Sequence, residues 1–152
     1  MLSSDLKISD LEKYMSLAIS KAKETKLDIP VGALILKNNE IISLVHNEKE
    51  KKKRTTAHAE ILAIEEANKK LSSWRLDDCI MFVTLEPCPM CAWAIMTSRI
   101  KKVYFGAYDN LYGAFSVLKM NNFGNFKTEI VGGILEEENN ILLKEYFRKL
   151  RK

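Results

Sequence analysis

The chain has 152 residues and a mass of 17.4 kDa, the size of one domain able to bury a core without disulfides. Hydrophobic residues make up 47% and charged residues 29%, with 6 Gly and 3 Pro, which excludes a disordered, collagen-like or linker-dominated chain. The net charge of +4, from 24 bases and 20 acids, permits a nucleic-acid partner without requiring one.

In chain order, Ser9 and Glu12 form a candidate capping box for a first helix, whose apolar set is Leu11, Tyr14, Met15, Ala18, Ile19 and Ala22. Val31 to Lys37 and Ile41 to Val45 flank Asn38-Asn39 and are expected to form a β-hairpin. Asn47 to Thr56 is polar and charged, hence a loop. His58 to Lys70 has helical periodicity. Cys79 to Leu85 is expected to be a buried strand, and Cys88 to Ser98 a helix opened by Pro87. Lys102 to Phe105 is a further strand. Asp109 to Gly124 is irregular, with one short helix expected around Phe115 to Met120. Thr128 to Val131 is a last strand, and Glu136 to Lys152 a helix with acids at its start and bases at its end. The alternation of strand and helix predicts a single α/β domain spanning residues 1–152, with a central sheet between helix layers.

The first ten residues carry Asp5 and Asp10 and no apolar core, so no secretory leader is expected. Apolar runs such as Ile29 to Leu36 are too short to span a bilayer. Three cysteines make no disulfide framework, which suits a reducing cytoplasm and directs attention to metal binding or catalysis.

The chemistry concentrates in His58-Ala59-Glu60 and, thirty residues on, Pro87-Cys88-Pro89-Met90-Cys91. Two thiols three apart in a helix's first turn share one face, where backbone N–H groups and the helix dipole lower thiol pKa values. Two thiolates balance the charge of Zn²⁺, and His58 adds a neutral third donor. A fourth position then stays open for water, the mark of a catalytic zinc. Glu60 is suited to shuttle protons. A redox Cys-x-x-Cys is the competing reading, but thioredoxin-like motifs lack the His-x-Glu partner. A closed structural site would take Cys79 or His46 as fourth ligand. Cys79 starts the strand whose other end leads to the site, roughly 20 Å away, and is read as a core thiol. His46, at the end of the hairpin, is read as a structural or rim histidine.

His58-Ala59-Glu60 followed by Thr84-Leu85-Glu86-Pro87-Cys88-Pro89-Met90-Cys91-Ala92 resembles the zinc-dependent cytidine/deoxycytidylate and adenosine deaminase superfamily. Within it, the chain looks most like bacterial tRNA-specific adenosine deaminases. That likeness extends over Ile29-Pro30-Val31-Gly32-Ala33, Asn47, Ser98-Arg99-Ile100, Phe105-Gly106-Ala107, Asp109, Gly113-Ala114, Gly133-Ile134-Leu135 and Tyr146-Phe147-Arg148. The resemblance implies a three-layer α/β/α sandwich around a mixed sheet, and one Zn²⁺ held by His58, Cys88 and Cys91. It implies Glu60 as proton shuttle, Asn47 and Asp109 as substrate contacts, and Ile29, Pro30 and Val31 as pocket walls. It also implies hydrolysis of a C–N bond, adenosine to inosine, at the wobble position of a tRNA anticodon loop, by a homodimer. The alternative is a guanine or nucleoside/nucleotide deaminase acting on a small molecule. Trp93 departs from the family pattern, which has a small residue there, and the stretch from Tyr108 to Phe126 departs as well.

The charge distribution adds independent support for RNA. Asn47 to Ala57 carries five bases and two acids, and Ile141 to Lys152 five bases and one acid. These two segments hold +7, leaving −3 for the rest. Tyr146 and Phe147 lie beside Arg148 in the second, placed to stack on unpaired bases.

Overall fold

The computed structural model describes residues 6–151. Residues 1–5 and 152 lie outside the described residues, and with them half of the segment that carries the leader expectation and the last base of the terminal cluster. Helix α1 spans Ile8–Ala22 and starts earlier than the Ser9 cap implies. Lys7 is the N-cap, and its backbone N–H donates to the Asp10 carboxylate at 3.1 Å, which leaves Ser9 inside the first turn.

Strands β1 (Gly32–Lys37) and β2 (Glu40–His46) form the expected hairpin. Asn38 and Asn39 both take positive φ, 52° and 65°, the backbone twist a two-residue hairpin favours. Ile35 pairs with Ser43 and Leu36 with Ile41, so Ile42 bulges out of the ladder. Strand β3 (Cys79–Leu85) runs antiparallel to β1 and parallel to β4 (Lys102–Ala107), and β5 (Glu129–Val131) pairs parallel to β4. The sheet order is β2-β1-β3-β4-β5. The mixed sheet is the expected one.

Period-2 alternation sorts the strands into two cores. Ala33, Ile35, Met81, Val83, Val103 and Phe105 face one way. They pack under α3 (Ala59–Leu71) and α4 (Pro89–Thr97) through Ala63, Ala67, Ala92, Ile95 and Met96. Leu34, Leu36, Phe82 and Tyr104 face the other way, onto Tyr14, Met15, Ala18 and Ile19 of α1. Leu142 of α5 (Glu136–Leu150) packs against the same core. Helices thus cover both faces, the expected α/β/α sandwich. Among the described residues, no helix is long and apolar enough to cross a membrane.

Three local expectations change. Within the expected loop at 47–56, Lys49–Lys52 form a short helix, α2. The Asp28 carboxylate accepts the Glu50 and Lys51 N–H groups at 2.6 and 3.3 Å, so a cap from a residue over twenty positions away holds a turn whose residues favour helix but which is too short to persist by itself. Helix α4 begins with Pro89 at its first position and Cys88 as N-cap, two residues beyond the expected opener Pro87. In the irregular stretch, the one 3₁₀ turn is Met120–Asn122 rather than Phe115 to Met120.

The sheet gathers one edge. The starts of β1 and α3, the end of β2, and the C-terminal ends of β3 and β4 meet there. Ligands collect beyond strand C-termini in open α/β sheets.

Candidate active site

At that edge a cavity of about 460 Å³ is lined by Ile29, Val31, Asn47, Lys49, His58, Ala59, Glu60, Leu85, Glu86, Cys88, Pro89, Asp109 and Tyr112. His58 is the N-cap of α3 and Cys88 the N-cap of α4, so two helix N-termini converge. The Nδ1 atom of His58 lies 3.8 Å from Cys88 Sγ and 3.5 Å from Cys91 Sγ. The three donor atoms all lie within 4.8 Å of one another. A tetrahedral zinc, with Zn–S of about 2.3 Å and Zn–N of about 2.0 Å, needs N···S separations of about 3.5 Å. The donor set fits one Zn²⁺.

The electrostatics fit it too. The Cys88 thiol is pulled down to about 4, first by the hydrogen bond with Cys91 and also by His58. Cys91 is pushed up by that same bond and by burial. Both thiols bind a divalent ion as thiolates, so metal binding releases protons and is favoured where a thiol is already held low. His58 is raised by its hydrogen bond to Cys88, against the opposing effect of burial. Glu60 lies buried on the first turn of α3 and is pushed up to about 7 by desolvation.

Cys79 is a free, fully buried thiol at the start of β3, pushed up to about 11 by burial, and belongs to the core. The His46 ring meets the Asn47 carbonyl at 3.1 Å and is not part of the cavity lining. Neither completes a four-ligand site.

Asn47 is buried and spends half its amide on the backbone. Nδ2 donates to the Ile29 carbonyl at 3.2 Å, and Oδ1 accepts the Lys49 N–H at 3.1 Å. One N–H and one lone pair remain. Asp109 Oδ1 accepts the N–H groups of Leu111 and Tyr112 at 3.0 and 2.9 Å, a turn that leaves Tyr112 largely exposed and lining the cavity. Ile29 and Val31 line the wall, whereas Pro30 borders a neighbouring cleft with Lys23, Lys26, Tyr146 and Lys149.

Tyr146, Phe147 and Arg148 are not among the cavity residues. Tyr146 donates its hydroxyl to the Leu27 carbonyl at 2.9 Å. Burial and the neighbouring Asp28 and Glu50 hold that hydroxyl above the ordinary tyrosine value. Phe147 packs edge-on against Tyr146 and is 42% exposed, and Arg148 is exposed. Sequence reasoning gave no role in the cavity to Lys49, Glu86 or Tyr112. Lys49 is one base among many in the sequence, Glu86 follows directly on β3 beside the cysteine turn without a pattern of its own, and Tyr112 reaches the site through loop packing.

Trp93 stays 46% exposed, its ring edge-on to Phe126, which carries the Arg99 guanidinium 5.0 Å from its centroid. The indole expected to alter a helix face thus rests against the loop that ends at Phe126.

The profile of the cytidine and deoxycytidylate deaminase zinc-binding region matches residues 8–107, which include the whole donor set and Glu60. The chain belongs to this zinc-binding deaminase family. The deaminase is 47% identical over 147 residues to a tRNA-specific adenosine deaminase of Bacillus subtilis, covering 93% of this chain and 91% of that protein. It is 43% identical to the tRNA-specific adenosine deaminase of Aquifex aeolicus, covering 92% and 95%. Its fold superposes with a TM-score of 0.82, at 32% identity, on a chain solved in a study of A-to-I editing by tRNA:A34 deaminases at the wobble position of transfer RNA. That match covers 86% of this deaminase and 99% of the solved chain.

Proposed function

We propose that this deaminase converts adenosine to inosine at the wobble position of a tRNA anticodon loop, consuming water and releasing ammonia. The observation that carries the reading is one cavity that unites a three-donor zinc cluster with a buried Glu60, on a chain 47% identical to a tRNA-specific adenosine deaminase over nearly its whole length. Zinc, when bound at His58, Cys88 and Cys91, supplies a polarised water. The chain's own groups do the rest. As the oxygen of water bonds to C6, the Glu60 carboxylate takes a proton from it and delivers that proton to N1 of the adenine; it then takes the proton of the new C6 hydroxyl and delivers it to the amine, which leaves as ammonia, so that inosine keeps N1–H and C6=O. Ile29 and Val31 hold the base between apolar walls, and the free N–H and lone pair of Asn47 fix its orientation. Asp109 meets the nucleotide at the rim.

The target base reaches such a pocket only when it is splayed out of its strand, as in an anticodon loop. The two basic segments support this reading by adjoining in space. Glu50 of the first stands near Tyr146 of the second, and the cleft beside Tyr146 is lined by three bases, Lys23, Lys26 and Lys149, against one acid, Glu145. Phe147 and Arg148 extend that surface for stacking and phosphate contact. The 152 residues act as one domain, paired as a homodimer, in the cytoplasm.

The competing reading is deamination of guanine or another small purine. Incubating the zinc-loaded protein with an unmodified anticodon stem-loop and, separately, with free purines separates the two. Inosine in the RNA supports the proposal; ammonia from guanine with the RNA untouched overturns it.

A further inference from the structure

Glu86 is 2% exposed and stands two residues before the zinc-ligating Cys88. Four donors from one loop surround its carboxyl. Oε1 accepts the Asp109 N–H at 3.1 Å and the Ser116 hydroxyl at 2.7 Å. Oε2 accepts the N–H groups of Phe115 and Ser116 at 3.1 and 2.7 Å. Two backbone bonds flank this cluster, from Glu86 N–H to the Ala107 carbonyl and from Ala114 N–H to the Pro87 carbonyl. Gly113 packs so tightly on the carboxyl that a Cβ there would collide with it.

A buried carboxyl is costly unless fully hydrogen-bonded, and a hydrophobic residue would fill a merely structural position more cheaply. What this carboxyl holds is a loop that lines the cavity: Asp109 and, through the Asp109 turn, Tyr112. We propose that Glu86 is a positioning residue that locks residues 109–116 onto the zinc-ligand turn, and so sets how tightly the cavity grips its substrate. This assignment rests on the deaminase reading of the cavity. It explains how the rim stays in register with the metal although 109–116 contains no regular helix or strand. The turn that presents Cys88 and the rim that meets the substrate are one hydrogen-bonded block.

Chemistry supplies a selective probe. In Glu86→Gln, the single amide oxygen remains best placed against the two rigid N–H groups of Phe115 and Ser116. The NH₂ then faces the Ser116 hydroxyl, which rotates to accept, and the Asp109 N–H, which loses its acceptor. The substitution therefore uncouples Asp109 while leaving the other hydrogen bonds. Ser116→Ala removes one hydroxyl donor and keeps the carboxyl.

The test is steady-state kinetics of zinc-loaded wild type, Glu86→Gln and Ser116→Ala, on whichever nucleobase substrate the wild type converts, with zinc content and melting temperature measured alongside. The expected result is a KM raised about tenfold in Glu86→Gln, and less in Ser116→Ala, with kcat falling much less and zinc content at the wild-type level. An unchanged KM in the folded, zinc-loaded variant overturns the proposal. So does a fall in kcat at constant KM, which would place Glu86 in the chemistry itself. If Glu86→Gln does not fold, Ser116→Ala decides by the same criteria. A wild type that converts a free purine and not RNA overturns the tRNA reading, yet a raised KM for that purine still sustains the positioning role. A wild type that converts neither overturns both.

Discussion

The Nδ1 atom of His58 stands 3.5 Å from the Sγ atom of Cys91, across a gap of 33 residues in sequence. Neither residue is brought there by its own helix alone. The end of β3 delivers the cysteine turn, and the N-terminus of α3 delivers the histidine, so a metal held by His58, Cys88 and Cys91 would tie two elements of the same core layer together.

Removing one donor should therefore cost both metal and stability. His58→Ala is expected to lower bound zinc from one ion per chain to near zero and to depress the melting temperature, as chelation of the wild type does. Atomic absorption alongside thermal melting checks this.

Glu60 is expected to separate from the metal cluster in its effects. Glu60→Gln keeps the shape of the side chain and relieves a carboxyl that desolvation disfavours. Zinc content and melting temperature should hold or rise, while turnover falls about 10²–10⁴-fold, the usual scale for losing a general acid–base. Single-turnover kinetics on the stem-loop measures it.

The sequence made most of this site legible because its chemistry is local. His58 and Glu60 share one helix turn, Cys88 and Cys91 another, and the spacing alone proposes a metal. The two sheet faces were legible for the same reason, since Leu34 and Ile35, or Phe82 and Val83, alternate at period two. Helix α2 was not, because the cap that forms it comes from Asp28. Nor was the role of Glu86, whose four donors lie more than twenty residues away. Tyr146 sits in a basic run that suggests exposure, yet its hydroxyl is tied to Leu27.

That distant cap yields a test of its own. Asp28→Ala removes the acceptor for Glu50 and Lys51, and is expected to cost about 1–2 kcal/mol. Hydrogen exchange should rise at residues 49–52, and RNA affinity should fall as the basic segment loosens, with zinc content unchanged. Denaturant unfolding and exchange measurements together check it.

The two basic segments should leave a signature in the salt dependence of binding. Lys53→Ala and Lys149→Ala remove one exposed base from each segment. Each should weaken anticodon stem-loop binding and shrink the slope of log affinity against log salt by about 0.7 for every phosphate of single-stranded RNA that is no longer neutralised. Fluorescence anisotropy across a salt series reads this directly, and a slope that does not change removes those lysines from the RNA surface.

The most direct test of the central claim is sequencing of tRNA after exposure to the zinc-loaded protein, with Glu60→Gln as control. Inosine reads as guanosine, so the account predicts an A-to-G change confined to the wobble position of an anticodon loop with the wild type, and none with the variant. Unaltered tRNA with the zinc-loaded wild type, or an equal change with Glu60→Gln, contradicts it.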